Sequence, residues 1–390
     1  MGASCSIFSQ LLQLFPRSEF NALVARTGAE HRAKGLSSWS QFVAMMFCQL
    51  GRAHSLREIE GGLRSCEGKL DHLGIEAPAR SSLSYANQHR PAALFEQVFY
   101  ALYEKIAAQA GVVRRKFRFN NKLLSVDSTS IDLSLSIYDW AHYQRTKGAI
   151  KLHMALDHDG YLPCFCMITD GKVADIRVAR AVEFAPGTIV VHDRGYTDYD
   201  LFQRWCDERV YFVTRMKEQA AYEVLRQRTI IAPEGGVVVA DQVIRLSSEA
   251  AQRQCWASLR RVEVIRPDNG EVMALLTNNM TLSARTIGQI YQERWQIELF
   301  FKALKQSAKI KTFVGTTPNA VRTQIWTALI CMLLLKWLQM RSQYGWSLSN
   351  LVALLRMNLF AHKDLHRWLA QPYARPPDPA ADGQPELAWA

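Results

Sequence analysis

The chain contains no Cys-x-x-Cys pair and no Cys/His cluster at zinc spacing, which excludes a structural zinc site of the paired-cysteine kind. Its eight cysteines fall singly, apart from Cys164 and Cys166 on one predicted strand. That pattern reads as small buried residues in a reducing compartment, not as a disulfide framework. Long apolar runs are missing as well. "ALICMLLL" (Ala328–Leu335) stops at Lys336, far short of the roughly 20 residues a membrane span requires, and predicts a core helix. Acids are the scarcer charge: 36 Asp and Glu face 47 Lys and Arg, for a net charge of +11. Such a balance points to an anionic partner. "MGASCS" at the start has the form of an N-myristoylation signal, but so short a match arises easily by chance. The "IFSQLLQLF" that follows reads as an ordinary amphipathic helix.

What is present is distributed unevenly. The 390 residues suffice for two or three domains and a sizeable core. Between Arg285 and Leu369 twelve Lys/Arg stand against three Asp/Glu. A second basic cluster, "RRKFRFNNK" (Arg114–Lys122), mixes charge with aromatics. Basic residues interleaved with aromatics across folded segments suit a phosphate-tracking surface better than a lipid-binding tail. Residues 1 to about 110 read as helical. Ser38 to Ser65 form a helix pair around Gly51, the second helix opened by a Ser55/Glu58 capping box. "APARSSLSYANQHR" (Ala77–Arg90) predicts a serine-capped helix with polar tips.

From Lys122 the period changes. "LLSVDSTSIDL" is β-like, and "AIKLHMALDHDGYLPCFCMITDG" reads as two strands joined at Asp159-Gly160. "DIRVARAVEF" is helical, "GTIVVHDRGYTD" is a strand ending in a polar loop, "YDLFQRWCDERV" is a helix and "YFVTRMK" a strand. This order describes a mixed α/β sheet flanked by helices. Residues 219–283 read as further β-structure inserted before a helix at Tyr291. Five prolines in the last twenty residues predict a disordered tail.

Two acids stand in places that are costly unless paired. Asp127 follows the apolar run Leu123, Leu124, Val126, and Asp193 stands where "TIVVHD" leaves its sheet. Either could simply bond its neighbours: Ser128 and Thr129 for Asp127, a turn or Arg194 for Asp193. Adjacent central strands would instead present both on one side. The third acid is Glu298 in "YQERWQIELFFKALKQ" (Tyr291–Gln306). At roughly 100° per residue, Tyr291, Arg294, Glu298 and Lys305 fall within an arc of about 60°. Ile290, Ile297, Phe301, Leu304 and Ala308 form an apolar stripe beside them. An ion pair of Glu298 with Arg294 or Lys302 is the ordinary alternative. Three clustered carboxylates repel unless cations lie between them, and an all-oxygen set favours Mg²⁺ or Mn²⁺. Two such ions about 4 Å apart serve phosphoryl transfer.

Asp127 in "SVDSTSIDL", Asp193 in "VVHDRGYTDY" and Glu298 in "YQERWQIELFFKALK" resemble the three acids of a DDE transposase. Tyr291, Arg294, Glu298 and Lys305 match the Y-(2)-R-(3)-E-(6)-K signature of bacterial transposases of the insertion-sequence-four family. The 105 residues from Asp193 to Glu298 leave room for the β-rich insertion that family carries. The resemblance runs from about Lys122 to Gln306, and the N-terminal third also resembles the family's helical domain. It implies a ribonuclease-H-like mixed sheet with flanking helices, a β-rich insertion and an all-helical N-terminal domain. The implied divisions are 1–115 (DNA-end binding), 116–218 with 284–312 (catalytic core), 219–283 (insertion), 313–370 (C-terminal helices) and 371–390 (tail).

In that reading Asp127, Asp193 and Glu298 are catalytic and hold two Mg²⁺ ions, with Mn²⁺ able to substitute. Tyr291, Arg294 and Lys305 face DNA phosphates. The implied activity is cut-and-paste transposition at the terminal inverted repeats of the chain's own insertion sequence. A homodimer would pair the ends, in the bacterial cytoplasm, nucleoid-associated when bound. A nuclease or resolvase without strand transfer, or a silent DNA-binding protein, are the rivals. Trp256 in the insertion reads as a core residue rather than one that stacks on a flipped base; Lys151 flanks the second strand and could touch DNA; His153 and His192 read as structural.

Overall fold

The computed structural model describes residues 5–66, 68–110, 116–134, 138, 140, 142–144, 147–230, 237–266, 269–307 and 313–374. Gly2, Arg114, Ala308 and the tail from 375 onward lie outside them. Among the described residues six α-helices open the chain: α1 (Ile7–Leu12), α2 (Arg17–Thr27), α3 (Ser38–Gly51), α4 (Leu56–Arg64), α5 (Arg80–His89) and α6 (Ala93–Ala110). The capping box at α4 is present, since Ser55 accepts from the Glu58 N–H. Glu58 reaches back to the His54 N–H at 2.9 Å. The expected break at Gly51 falls one residue later: Gly51 is helical, its missing Cβ making room for the Phe47 ring, and Arg52 takes the left-handed turn at φ 59°. Helix α5 starts after Ala79 without a side-chain cap. Ser81 and Ser82 therefore sit inside the first turn, exposed, and do not cap it.

The sheet follows: β1 (Leu123–Leu133), β2 (His142–Gln144), β3 (Lys147–Asp157), β4 (Leu162–Asp170), helix α7 (Asp175–Ala181), β5 (Ile189–Val191), helix α8 (Tyr199–Asp207) and β6 (Tyr211–Arg215). Strands β1 and β3 pair antiparallel, β3 pairs β4, and β1, β5 and β6 run parallel side by side. This is the ribonuclease-H-like arrangement. The β-rich insertion supplies β7 (Tyr222–Gln227), β8 (Val238–Leu246), a short helix α9 (Glu249–Gln254), β9 (Leu259–Ile265) and β10 (Val272–Thr277). It extends the same sheet, because β10 pairs with β6 and β9, β8 and β7 follow outward, giving ten strands.

The apolar runs in β5 and β6 are explained by burial on both faces. Val190 and Phe212 enter one cluster with Leu201, Phe202 and Trp205 of α8. Ile189, Val191 and Val213 enter the opposite one, beneath helix α10 (Ala284–Glu293). Helices α11 (Trp295–Ser307), α12 (Pro318–Arg341), α13 (Leu348–Asn358) and α14 (Leu365–Ala370) complete the described chain. The "ALICMLLL" segment lies in α12, buried throughout. Helix α12 is long and apolar enough to cross a membrane by length and composition, yet it is packed inside the protein. It shares one core with α3, α6, α11 and the β1–β3–β4 face.

The helix expected over Tyr291–Gln306 is two. Helix α10 ends at Glu293, α11 begins at Trp295, and Arg294 is the joint. There the hydrogen bonds tighten from four residues to three: Arg294 N–H donates to the Tyr291 carbonyl and Ile297 N–H to that of Arg294. Arg294 keeps helical angles (φ −51°, ψ −34°), so the apolar stripe carries across: Ile290, Ile297, Phe301 and Leu304 are buried.

Candidate active site

Register places the first two acids. Ser125 of β1 lies opposite Val191, the last residue of the parallel strand β5, so two residues on from each come Asp127, still within β1, and Asp193, just beyond β5. With side chains alternating every residue, both belong to the same face. Asp193 stands just past the carboxyl end of β5, and Asp127 is the fifth of the eleven residues of β1. The local bonds of the ordinary alternatives are also there. Asp127 Oδ1 accepts from the Ser128 N–H at 2.8 Å, and Asp193 Oδ1 accepts from the Gly195 N–H at 2.9 Å. Neither bond neutralises a carboxylate.

Helix α11 packs on β1 and brings the third acid. Arg294 donates to Glu298 Oε1 at 2.6 Å, and its other terminal nitrogen lies 3.9 Å from Asp127 Oδ2. The ion pair foreseen as the ordinary explanation of Glu298 therefore exists, but inside the acid group. Burial pushes the Asp127 carboxyl up to about 6, with Asp193 and Glu298 adding to the rise while the Ser128 N–H and Arg294 oppose it. Desolvation works against the Arg294 charge, yet Glu298, Tyr291 and Asp127 hold its pKa above the usual value.

Two signature residues remain, Tyr291 and Lys305. Tyr291 is half-buried, its ring centroid 5.9 Å from the Arg294 guanidinium carbon. Lys305 is partly exposed on the third turn of α11. Beside Tyr291 and Arg294 opens a cleft of ≈ 340 Å³ lined by Arg215, Arg266 and Trp295 among others.

Two acids at this site were not picked out in the sequence. Asp175, opening α7, accepts from Ser128 Oγ at 2.6 Å and lies 3.2 Å from Lys151 Nζ and 3.5 Å from His153 Nδ1. An acid that opens a helix carries no special sequence signal. Lys151 is thereby committed to the site wall. Glu293 is buried and held by Lys116 and Tyr161. Its signal was readable, because it lies on the stripe side of Ile290 and Ile297. Of the basic cluster before β1, Lys116 serves Glu293 and Lys122 pairs with buried Asp157. Trp256 departs from expectation: it is 64% exposed at the end of α9, not in a core. Burial lowers the His192 pKa to about 4 and the His153 pKa to about 4, so both are neutral rings; His153 donates to or accepts from Thr169 Oγ1 at 2.8 Å.

As a donor set the three carboxylates supply only oxygen and share more negative charge than Arg294 cancels, which suits a hard divalent cation. They are held as a loose group: among the described residues no three His, Cys, Asp or Glu side chains stand close enough to share one ion.

A ribonuclease-H-like sheet with acids grouped beside its central parallel strands suits an enzyme that transfers phosphoryl groups. The family described as Transposase DDE domain matches residues 119–334, more than half the chain, and the chain belongs to it, in the insertion-sequence-four type. A domain of unknown function matches residues 4–76. A Sinorhizobium fredii (strain NBRC 101917 / NGR234) protein carrying the name transposase y4zB is 35% identical over 262 residues, 67% of this chain and 71% of that one. A Geobacillus stearothermophilus relative, named as a transposase for insertion sequence element IS5377, is 33% identical over 239 residues, covering 60% of this chain and 62% of its own. The Escherichia coli (strain K12) transposase InsG for insertion sequence element IS4 is 24% identical over 163 residues, 38% of this chain and 34% of its own. The protein is a transposase, an enzyme class that cleaves and joins DNA, and its family uses divalent metal ions. Membership disfavours the nuclease and silent-binder alternatives.

Proposed function

We propose that Asp127, Asp193 and Glu298 are the catalytic acids and hold two Mg²⁺ ions, with Mn²⁺ able to substitute. The observation that carries this is the β1–β5 register, which sets Asp127 beside Asp193, with Arg294 linking Asp127 to Glu298. Held by these three carboxylates, such ions would supply activation of the attacking oxygen and stabilisation of the leaving one. The residues of this chain do the rest. Arg294 already spans two carboxylates and can exchange one for a phosphate oxygen in the same planar fork. Tyr291 and Lys305 hold the neighbouring phosphates, and the arginine-lined cleft supports a DNA path past them.

Hydrolysis at the element's terminal inverted repeat breaks the P–O3′ bond and frees a 3′-hydroxyl. That hydroxyl then attacks a target phosphodiester, its proton lost and the target's own 3′-oxygen leaving. Residues 1–115 supply terminal-repeat recognition, with the exposed side of α5 (Ser81, Ser82, Tyr85, Gln88, His89) as the reading surface. A homodimer bridges the paired ends. Work on chromosomal DNA sets the protein in the bacterial cytoplasm, nucleoid-associated when bound.

Alanine at Asp127, Asp193 or Glu298 should lower Mg²⁺-dependent single-turnover cleavage of an end duplex by at least about 10³-fold while end binding survives. Near-normal cleavage by any one variant would remove that residue from the site.

A further inference from the structure

Glu293 ends α10 one residue before the Arg294 joint, and its carboxylate points inward at 5% exposure. Oε1 accepts from Lys116 Nζ at 2.5 Å and Oε2 accepts from the Tyr161 hydroxyl at 2.9 Å. His158 Nδ1 lies 3.8 Å from Oε2, beyond hydrogen-bond reach. The far side of that ring, Nε2, is 2.7 Å from Ser125 Oγ. Ser125 is fully buried on β1, two residues before Asp127 and on the same strand face. His158 and Tyr161 belong to the β3–β4 turn, and Tyr161 holds φ 55° there, a conformation a bulky side chain adopts only when its surroundings impose it.

A line of side chains thus runs from β1 beneath Asp127, through the turn, to the residue that precedes Arg294. Ser, His and Glu in this order resemble a hydrolytic triad, but all three are buried, which leaves no path for a substrate to Ser125. The same burial suits a brace. A carboxylate this deep is costly unless paired, and the Tyr161 bond ties the α10–α11 joint to the β3–β4 turn.

We infer that Glu293 is a positioning residue: its bonds to Lys116 and Tyr161 fix the joint, and so aim Arg294 and Glu298 at Asp127. The inference rests on the reading of Asp127 and Glu298 as catalytic acids. Glu293→Gln keeps the shape and removes the charge that holds Lys116. The variant should cut an end duplex about 10–100-fold more slowly per folded molecule, with end binding within about twofold of wild type. Mn²⁺ binding to the free protein, followed by electron paramagnetic resonance, should weaken about tenfold, which a purely structural role would not produce. Glu293→Asp, whose shorter arm the flexible Lys116 can follow, should recover most of both. Lys116→Met alters a side chain 62% exposed and so keeps the fold; with Tyr161→Phe it should show smaller losses of the same kind. Wild-type cleavage and Mn²⁺ affinity in Glu293→Gln, or in both partner variants should Glu293→Gln not fold, would overturn the inference. Glu298→Gln run alongside separates the two levels, since cleavage surviving in that variant would refute the catalytic reading itself.

Discussion

Burial and two acidic neighbours push the Asp127 carboxyl up to about 6, so at neutral pH the folded chain carries a charge that the unfolded chain would hold more easily. Linkage gives the sign: a folded pKa above the unfolded value near 4 means the fold binds the proton more tightly. The favourable contribution is complete below about pH 4 and is lost as pH rises through about 6. Asp127→Asn should therefore raise stability to urea at about pH 7.5 by roughly 1–3 kcal/mol, the gain vanishing near pH 4. Equal stability of the two proteins at both pH values would show that the carboxylate is not strained by its site. Glu293 has the opposite sign. Against the cost of burial, His158, Lys116 and Tyr161 bring its pKa down to about 2, so its contribution is present above about pH 4.5 and lost as pH falls toward 2.

The elements make separable demands on DNA. Arg294 and Lys305 are proposed to hold phosphate, and the exposed side of α5 to read sequence. In gel-shift titrations across a salt series, Arg294→Ala and Lys305→Ala should weaken binding to end and random duplex alike, each lowering the salt slope by about one for the phosphate it no longer neutralises. Tyr85→Ala and His89→Ala, which remove a stacked pair 4.0 Å apart on α5, should instead lower the preference for the element's own end by about 1–3 kcal/mol. Preference unchanged in both α5 variants would move recognition elsewhere.

Elements buried on both faces were legible, because β5, β6 and β10 leave continuous apolar runs between turn signals. The outermost strand β7 was not: Tyr222–Gln227 is largely exposed, and nothing selects apolar residues there. The short strand β2 was missed as well; three residues are too few to show a period. The joint at Arg294 escaped because its helical angles let the stripe pass through. The proposed catalytic acids stood out by their contexts; Glu293 stood out only as an acid on the apolar stripe, since its partners Lys116 and Tyr161 lie 177 and 132 residues away in the chain.

Across the whole molecule one core joins the N-terminal helices, α11 to α14 and one face of β1, β3 and β4. Helix α12 lies within it, against α3, α5 and α6. Cutting away residues 1–115 would strip that apolar helix of its cover, so recognition must be tested with point variants in the full chain. The same packing ties the proposed end-reading surface to the sheet that carries Asp127 and Asp193. The central claim is that a single acid group both cuts DNA and joins it. Its most direct test supplies a pre-cleaved end bearing a 3′-hydroxyl, with Mg²⁺ and target duplex, to wild type and to the Asp127→Ala, Asp193→Ala and Glu298→Gln variants. The wild type should join the end to target, and each variant should bind it but join at least about 10³-fold more slowly. Joining at near wild-type rate by any of the three variants, or none by a wild type that still cuts, would contradict the account.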